Sequence, residues 1–339
     1  FSDQGNFNDA IECCNKALKV STASSETYKI LGNAYNEINQ IDLAIENYKQ
    51  AITHDPHCAE LHTIVGRLFR EKGDNHEART HYNKAIQLQP DHLATLIDLS
   101  ILSQEQGDLH EAIAYCKKAV KINPDNTEAL YDMGNFLSKD HLYSKAIPYY
   151  KKAVQINPEM AQAHNNMGLA YRKTTKLSEA QRCFQNTIEI DPSFSAALAN
   201  LGDVFLELEK FDSSIEIYQK ALNIRPDYEE TRAQKLHLEA HICDWDRSAN
   251  DMSLLSSLGT KEKEVPPFAL FSLDDSPERQ RLRAEVFTSS RFKLEPLAPI
   301  QRPKVKPDRL NIGYFSADFH DHPVMHLIIR ILERHNRQQ

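Results

Sequence analysis

The chain has 339 residues, a formal net charge of −8 and 41% hydrophobic residues. The negative balance argues against a nucleic-acid partner held by phosphate contacts, and no apolar run approaches the ~20 residues of a membrane-spanning helix. Six cysteines form no C-x-x-C pair, so neither a zinc ribbon nor a thioredoxin motif is present; reduced thiols in a cytoplasmic protein are expected.

Residues 1–24 read as one helix and a Ser/Thr turn. Gly5, Ala10, Cys14 and Ala17 carry the spacing of the second half of a unit that recurs downstream. A partial repeat is therefore expected here, in a piece of a longer protein, because an array end normally carries a polar cap.

Residues 25–228 are ruled by six prolines, Pro56, Pro90, Pro124, Pro158, Pro192 and Pro226, each 34 residues after the last. A fixed period of this length marks a repeat array. Gly32, Gly66, Gly134, Gly168 and Gly202 share one phase, with Ser100 as the exception. Ala44, Ala78, Ala112, Ala146, Ala180 and Ser214 share a second, and Tyr48, Tyr82, Tyr150, Phe184 and Tyr218 lie four residues further on. Small residues mark close helix crossings, and aromatics fill the gaps beside them. Proline ends the second helix, since it lacks an N–H and crowds the preceding turn. The pattern resembles the tetratricopeptide repeat, with six complete units beginning at Ser25, Ala59, Leu93, Thr127, Ala161 and Ser195. That resemblance implies an all-α superhelix, or α-solenoid, whose first helices line an inner groove.

Groove positions are read where packing does not dictate them. Two residues before the glycine phase stand Ile30, Ile64, Asp98, Asp132, Asn166 and Asn200. One residue after it stand Asn33, Arg67, Ile101, Asn135, Leu169 and Asp203. An Asn side chain both donates and accepts, so it can grip a peptide backbone without selecting a sequence. Asn33, Asn135, Asn166, Asn200, Asp98 and Asp132 are accordingly the candidate residues for holding an acceptor polypeptide; the alternative is a solvated polar helix face. The two Asp residues would favour basic segments. Only Arg67 is basic among these positions, which disfavours a clamp for a C-terminal carboxylate.

The repeats are expected to stop after Pro226. Residues 229–247 read as one continuing helix, with Trp245 closing the end of the array. Residues 248–308 hold seven of the fifteen prolines and read as an irregular transition, within which 277–291 forms a helix capped by Ser276 with Pro277 at its first position. Residues 229–308 together are expected to be a capping helix and linker. From 309 a short strand (RLNIGYF), a polar loop and a helix from Pro323 follow, the opening of a βα unit.

The stretch RLNIGYFSADFHDHPVMHL, with the upstream CDW at Cys243–Trp245, resembles the start of the catalytic domain in tetratricopeptide-containing O-linked N-acetylglucosamine transferases. The resemblance implies that 309–339 begin a truncated, Rossmann-like glycosyltransferase domain. It also implies metal-independent, inverting transfer from UDP-N-acetylglucosamine to Ser or Thr of intracellular proteins held by the repeats. The donor sugar would bind mainly in a lobe beyond Gln339, so this stretch alone is expected to be inactive, and no cofactor is implied. His322 falls on the family's active-site histidine, as base or as orienter of the acceptor hydroxyl; a helix cap without chemistry is the bland alternative. Asp318, His320, His322 and His326 also crowd together, but Pro323 interrupts them and no distant ligand completes a metal site. Related O-fucosyltransferases share the layout and use GDP-fucose. A non-enzymatic adaptor binding proteins in the groove is the reading from a different class.

Overall fold

The computed structural model describes residues 6–20, 24–261 and 263–291, and among them every regular element is helical. A lone helix α1 (Phe7–Val20) precedes six helix pairs. These are α2 (Ser25–Glu37) and α3 (Ile41–His54), α4 (Ala59–Glu71) and α5 (Asn75–Leu88), α6 (Leu93–Glu105) and α7 (Leu109–Ile122). They continue as α8 (Thr127–Lys139) and α9 (Tyr143–Ile156), α10 (Ala161–Lys173) and α11 (Leu177–Ile190), and α12 (Ser195–Glu207) and α13 (Phe211–Ile224). Within each pair the helices pack antiparallel across a three-residue turn, and the first helices of neighbouring repeats touch directly, α4 with α6, α8 with α10 and α10 with α12.

One contact sets the spacing inside a pair. The aromatic ring of the second helix lies flat on the glycine of the first. A Cβ at Gly134 would stand 2.5 Å from the Tyr150 ring, and one at Gly202 2.5 Å from the Tyr218 ring. Tyr48, Tyr82, Tyr150, Phe184 and Tyr218 are almost wholly enclosed, so the rings cannot retreat without opening the core. Repeat three departs from this in a compensated way: Ser100 occupies the glycine phase where the smaller Cys116 replaces the ring, and both are fully buried.

The turns repeat as strictly as the core. Asn39, Gly73, Gly107, His141, Thr175, Glu209 and Cys243 all have positive φ, between 56° and 86°. The residue after each donates its N–H to a carbonyl five residues back, as in Gln40 to Tyr35, Leu142 to Leu137 and Asp244 to Glu239, each 2.8 Å. This is the six-to-one closure of a helix C-terminus around a left-handed residue. Asp74 and Asp108 then cap α5 and α7 by accepting from Glu77 N–H (3.1 Å) and Glu111 N–H (2.9 Å).

The same turn corrects the expectation for residues 229–247. The helix does not run through. It is α14 (Glu229–His241), broken at Cys243 and resumed as α15 (Trp245–Met252). This is a seventh pair in the same phase, with Leu236 in place of glycine, Ser248 in place of alanine and Met252 in place of the ring. Trp245 does not close the array, since it is 55% exposed. The apolar end is covered instead by Leu255, Leu258, Val265 and the short 3₁₀ turn Pro267–Leu270, which pack on Ala233 and Leu236. Helix α16 (Pro277–Arg291) holds this cap from outside. Its fully buried Arg283 donates to the carbonyls of Leu258 (2.8 Å) and Leu255 (2.6 Å) and pairs with Asp274 at 2.7 Å. Arg279 also donates to Asp274, and the two guanidiniums hold that carboxyl well below the usual carboxylate range. The strand, loop and helix expected over 309–339 lie outside the described residues.

If the ring-on-glycine contact sets the pair spacing, Gly134→Ala should destabilise the array by about 1–3 kcal/mol, the usual range for overpacking. A thermal melt read by circular dichroism checks this; an unchanged midpoint would mean that Tyr150 yields freely.

Candidate functional site

The face built from the first helices carries the candidate residues, and three of the hydroxyls buried behind it reach the position after the glycine, two of them at candidates. Tyr48 donates to Asn33 Oδ1 (2.5 Å), Tyr150 to Asn135 Oδ1 (2.8 Å) and Tyr218 to Asp203 Oδ1 (2.6 Å). Where the second helix offers no hydroxyl, at Cys116 and Phe184, the facing residue is apolar, Ile101 and Leu169. Repeat two breaks the match: Arg67 is a donor only, and the buried Tyr82 hydroxyl has no hydrogen-bond partner among the described residues. The position after the glycine is thus shaped by packing, contrary to the sequence reading. The carbonyls of Asn33 and Asn135 already serve the fold.

Residues two before the glycine reach back into the preceding repeat. Arg67 donates to Asp98 (2.8 Å), and Arg70 lies 3.8 Å from the same carboxylate. Asp98 is buried and compensated from two sides, so it is not a free acidic group for a ligand. Asn166 donates to Asn135 (2.9 Å) and to Tyr131 (3.1 Å). Asn200 donates to Asn165 (3.0 Å), which donates to Asn166 (3.1 Å). Asn200, Asn165, Asn166 and Asn135 form one relay across three repeats, ending on the Tyr150 hydroxyl. The structure therefore gathers Asp132, Asn135 and Asn166 on one recess; Asn200 joins them only through Asn165, and Asn33 and Asp98 lie elsewhere on the face. Sequence reasoning missed Tyr131 and Asn165 because their partners lie 35 residues away.

Asp132 is the exception in this network. The residue that should answer it, one after the glycine in the preceding repeat, is Ile101, where Asp98 has Arg67 and Asn166 has Asn135. Its Oδ2 is buried with no partner among the described residues. Burial first, then nearby Glu128, pushes its carboxyl up to about 7. Asp132 lines a recess of about 590 Å³ between α6, α8 and α10, together with Ile101, Gln104, Asn135, Asn166 and Leu169. Lys139 and Lys173 also line it. They close their helices at the phase where the other four repeats have Glu37, Glu71, Glu105 and Glu207, a charge reversal that was legible in the sequence.

His322, and with it Asp318, His320 and His326, lies outside the described residues. Among the described residues no group of three or more His, Cys, Asp or Glu side chains is placed to hold a metal ion, and no helix is long and apolar enough to cross a membrane.

The sign of the Asp132 effect follows from its raised value. The unfolded carboxyl loses its proton near pH 4, the folded one only near pH 7. The folded state is therefore penalised progressively as pH rises from about 4 to 7. Asp132→Asn should leave the melting temperature nearly unchanged at pH 4 and raise it at pH 8. The gain should be about 1–3 kcal/mol, after discounting for the partial exposure of the group. Equal shifts at both pH values would contradict this.

Tetratricopeptide-repeat models match residues 25–58, 58–125, 115–147 and 159–227, and a TPR-repeat model matches 143–174. The C-terminal part of a TPR repeat-containing protein from Cytophaga hutchinsonii is similar, with a TM-score of 0.57 at 17% identity, over 68% of this chain and 94% of that one. PilF of Pseudomonas aeruginosa has a TM-score of 0.53 at 18% identity, over 67% of this chain and 97% of its own. YrrB, described as a TPR protein with an unusual peptide-binding site, has a TM-score of 0.51 at 23% identity, over 59% of this chain and 99% of its own. At these identities the likeness is one of fold. No curated protein is significantly similar in sequence. These matches carry the repeat family and not the transferase family. Continuous matches from 25 to 227, together with the helix pairs and their recurring turn, make this chain a member of the tetratricopeptide repeat family.

Proposed function

We propose that the chain is a protein-interaction module that holds an extended polypeptide on the face of its first helices. One observation carries this reading. On that face the half-buried carboxyl of Asp132, whose Oδ2 has no partner among the described residues, lines a recess of about 590 Å³ together with Asn135 and Asn166 of the inter-repeat relay. A polar group left unpaired by its own fold is a place where a ligand gains more than water does. The peptide-binding site named for YrrB, on the same fold, supports the reading by analogy only.

Photo-crosslinking checks it. A benzoylphenylalanine at Gln104, in the recess, should crosslink to a peptide selected for binding. The same group at Lys117, exposed on α7, should not. Equal yields from both positions would contradict the reading.

A second, finer reading is that this module recruits acceptors for an attached glycosyltransferase. It rests on the stretch from Arg309 to Leu327, whose resemblance places His322 on the acceptor side of an active site. There a His is suited to take or orient a hydroxyl proton. UDP-N-acetylglucosamine is the donor that reading favours, with GDP-fucose as the alternative. In a protein carrying this chain and a complete transferase domain, His322→Ala should remove most transfer from the labelled donor while acceptor binding persists. Undiminished transfer would end this role.

A further inference from the structure

Three charged groups border the recess, one negative (Asp132) and two positive (Lys139 and Lys173), and none of them has an ion-pair partner among the described residues. Asp132 lacks the donor that Arg67 supplies to Asp98 one repeat earlier, because the homologous position is Ile101. Lys139 and Lys173 stand at the helix ends bordering the same recess, where the remaining repeats carry Glu. The apolar side chains of Ile101 and Leu169 line the same recess.

Resting on the peptide-binding reading above, we infer that the recess takes one lysine or arginine side chain of an extended segment, flanked in that segment by acidic residues that meet Lys139 and Lys173. A long basic side chain suits the site because its stem is apolar and its head is charged. Its methylenes would lie along Ile101 and Leu169, and its cation would supply Asp132 with the donor that the preceding repeat withholds. A neutral segment leaves the carboxyl unanswered. A uniformly basic one meets two lysines, and like charges brought together select against it. The chemistry is therefore that of a basic residue in an acidic context, not of a basic patch. Glu128, on the same helix as Asp132, adds to the preference for a cation. Gln104, which also lines the recess, offers a neutral hydrogen-bonding group to the segment's backbone.

A random dodecapeptide library displayed on phage, selected at pH 8 against the chain, tests this. The enriched peptides should align on one Lys or Arg with an acidic residue within about three positions of it. Three variants separate the parts. Asp132→Asn should still enrich peptides but lose the fixed basic residue. Lys139→Glu with Lys173→Glu should keep the basic residue and lose the acidic context. Ile101→Arg, which rebuilds the Arg67–Asp98 pair one repeat on, should also lose the fixed basic residue while the melting temperature holds or rises. For the tightest peptide, replacing its Lys by norleucine should weaken binding about tenfold or more, as expected for a charged hydrogen bond. That loss should vanish in Asp132→Asn. Enrichment without an aligned basic residue, or the same alignment in Asp132→Asn, would overturn the inference and leave the peptide-binding reading standing. No enrichment from any variant would overturn both.

Discussion

The aromatic ring lying on a backbone glycine is the contact from which the rest of this structure follows. It fixes how close the two helices of a repeat approach, and so requires glycine on one side and a large flat side chain on the other. When the ring is Tyr48, Tyr150 or Tyr218, its hydroxyl emerges beside the residue after the glycine and finds an acceptor there. That residue then faces the next repeat, where a side chain two positions before the next glycine reaches back to it. In repeats four and five this links the packing of Tyr150 to the position of Asn166, through Asn135. Repeat three shows the consequence of breaking the chain. Cys116 has no hydroxyl to place, Ser100 fills the space and Ile101 needs no polarity. Asp132, one repeat on, has an Oδ2 without a partner among the described residues.

The fold was largely legible in the sequence, for a physical reason. Close crossings demand small residues and leave gaps that aromatics fill, so the constraints fall in fixed phase and survive as columns. The seventh pair was not legible, because Leu236, Ser248 and Met252 abandon the column chemistry while the backbone keeps the turn at Cys243. Trp245 misled for a related reason. A lone tryptophan suggests burial, yet the array end is covered by ordinary aliphatics from 255 to 270 and clamped by one buried arginine, Arg283. The burial of Arg283 was not legible, because two of its partners are carbonyls 25 and 28 residues away.

The site was legible in part. The phase analysis placed Asp132, Asn135 and Asn166 together on the face of the first helices, where the structure has them, but it treated groove positions as free of packing. The hydrogen bonds that refute this span 31 and 35 residues and are invisible to a reading of one repeat at a time. Asp98 and Asp132 look identical in sequence. Two arginines from the preceding repeat neutralise the first, and an isoleucine abandons the second.

The central claim is that the face of the first helices, around Asp132, is where this chain meets an extended polypeptide. A crystal structure of the chain with its tightest selected peptide tests that most directly. The account predicts an extended segment running across α6, α8 and α10, with a basic side chain entering the recess beside Asp132. A peptide bound to the second helices, or one that leaves the recess empty, would contradict it.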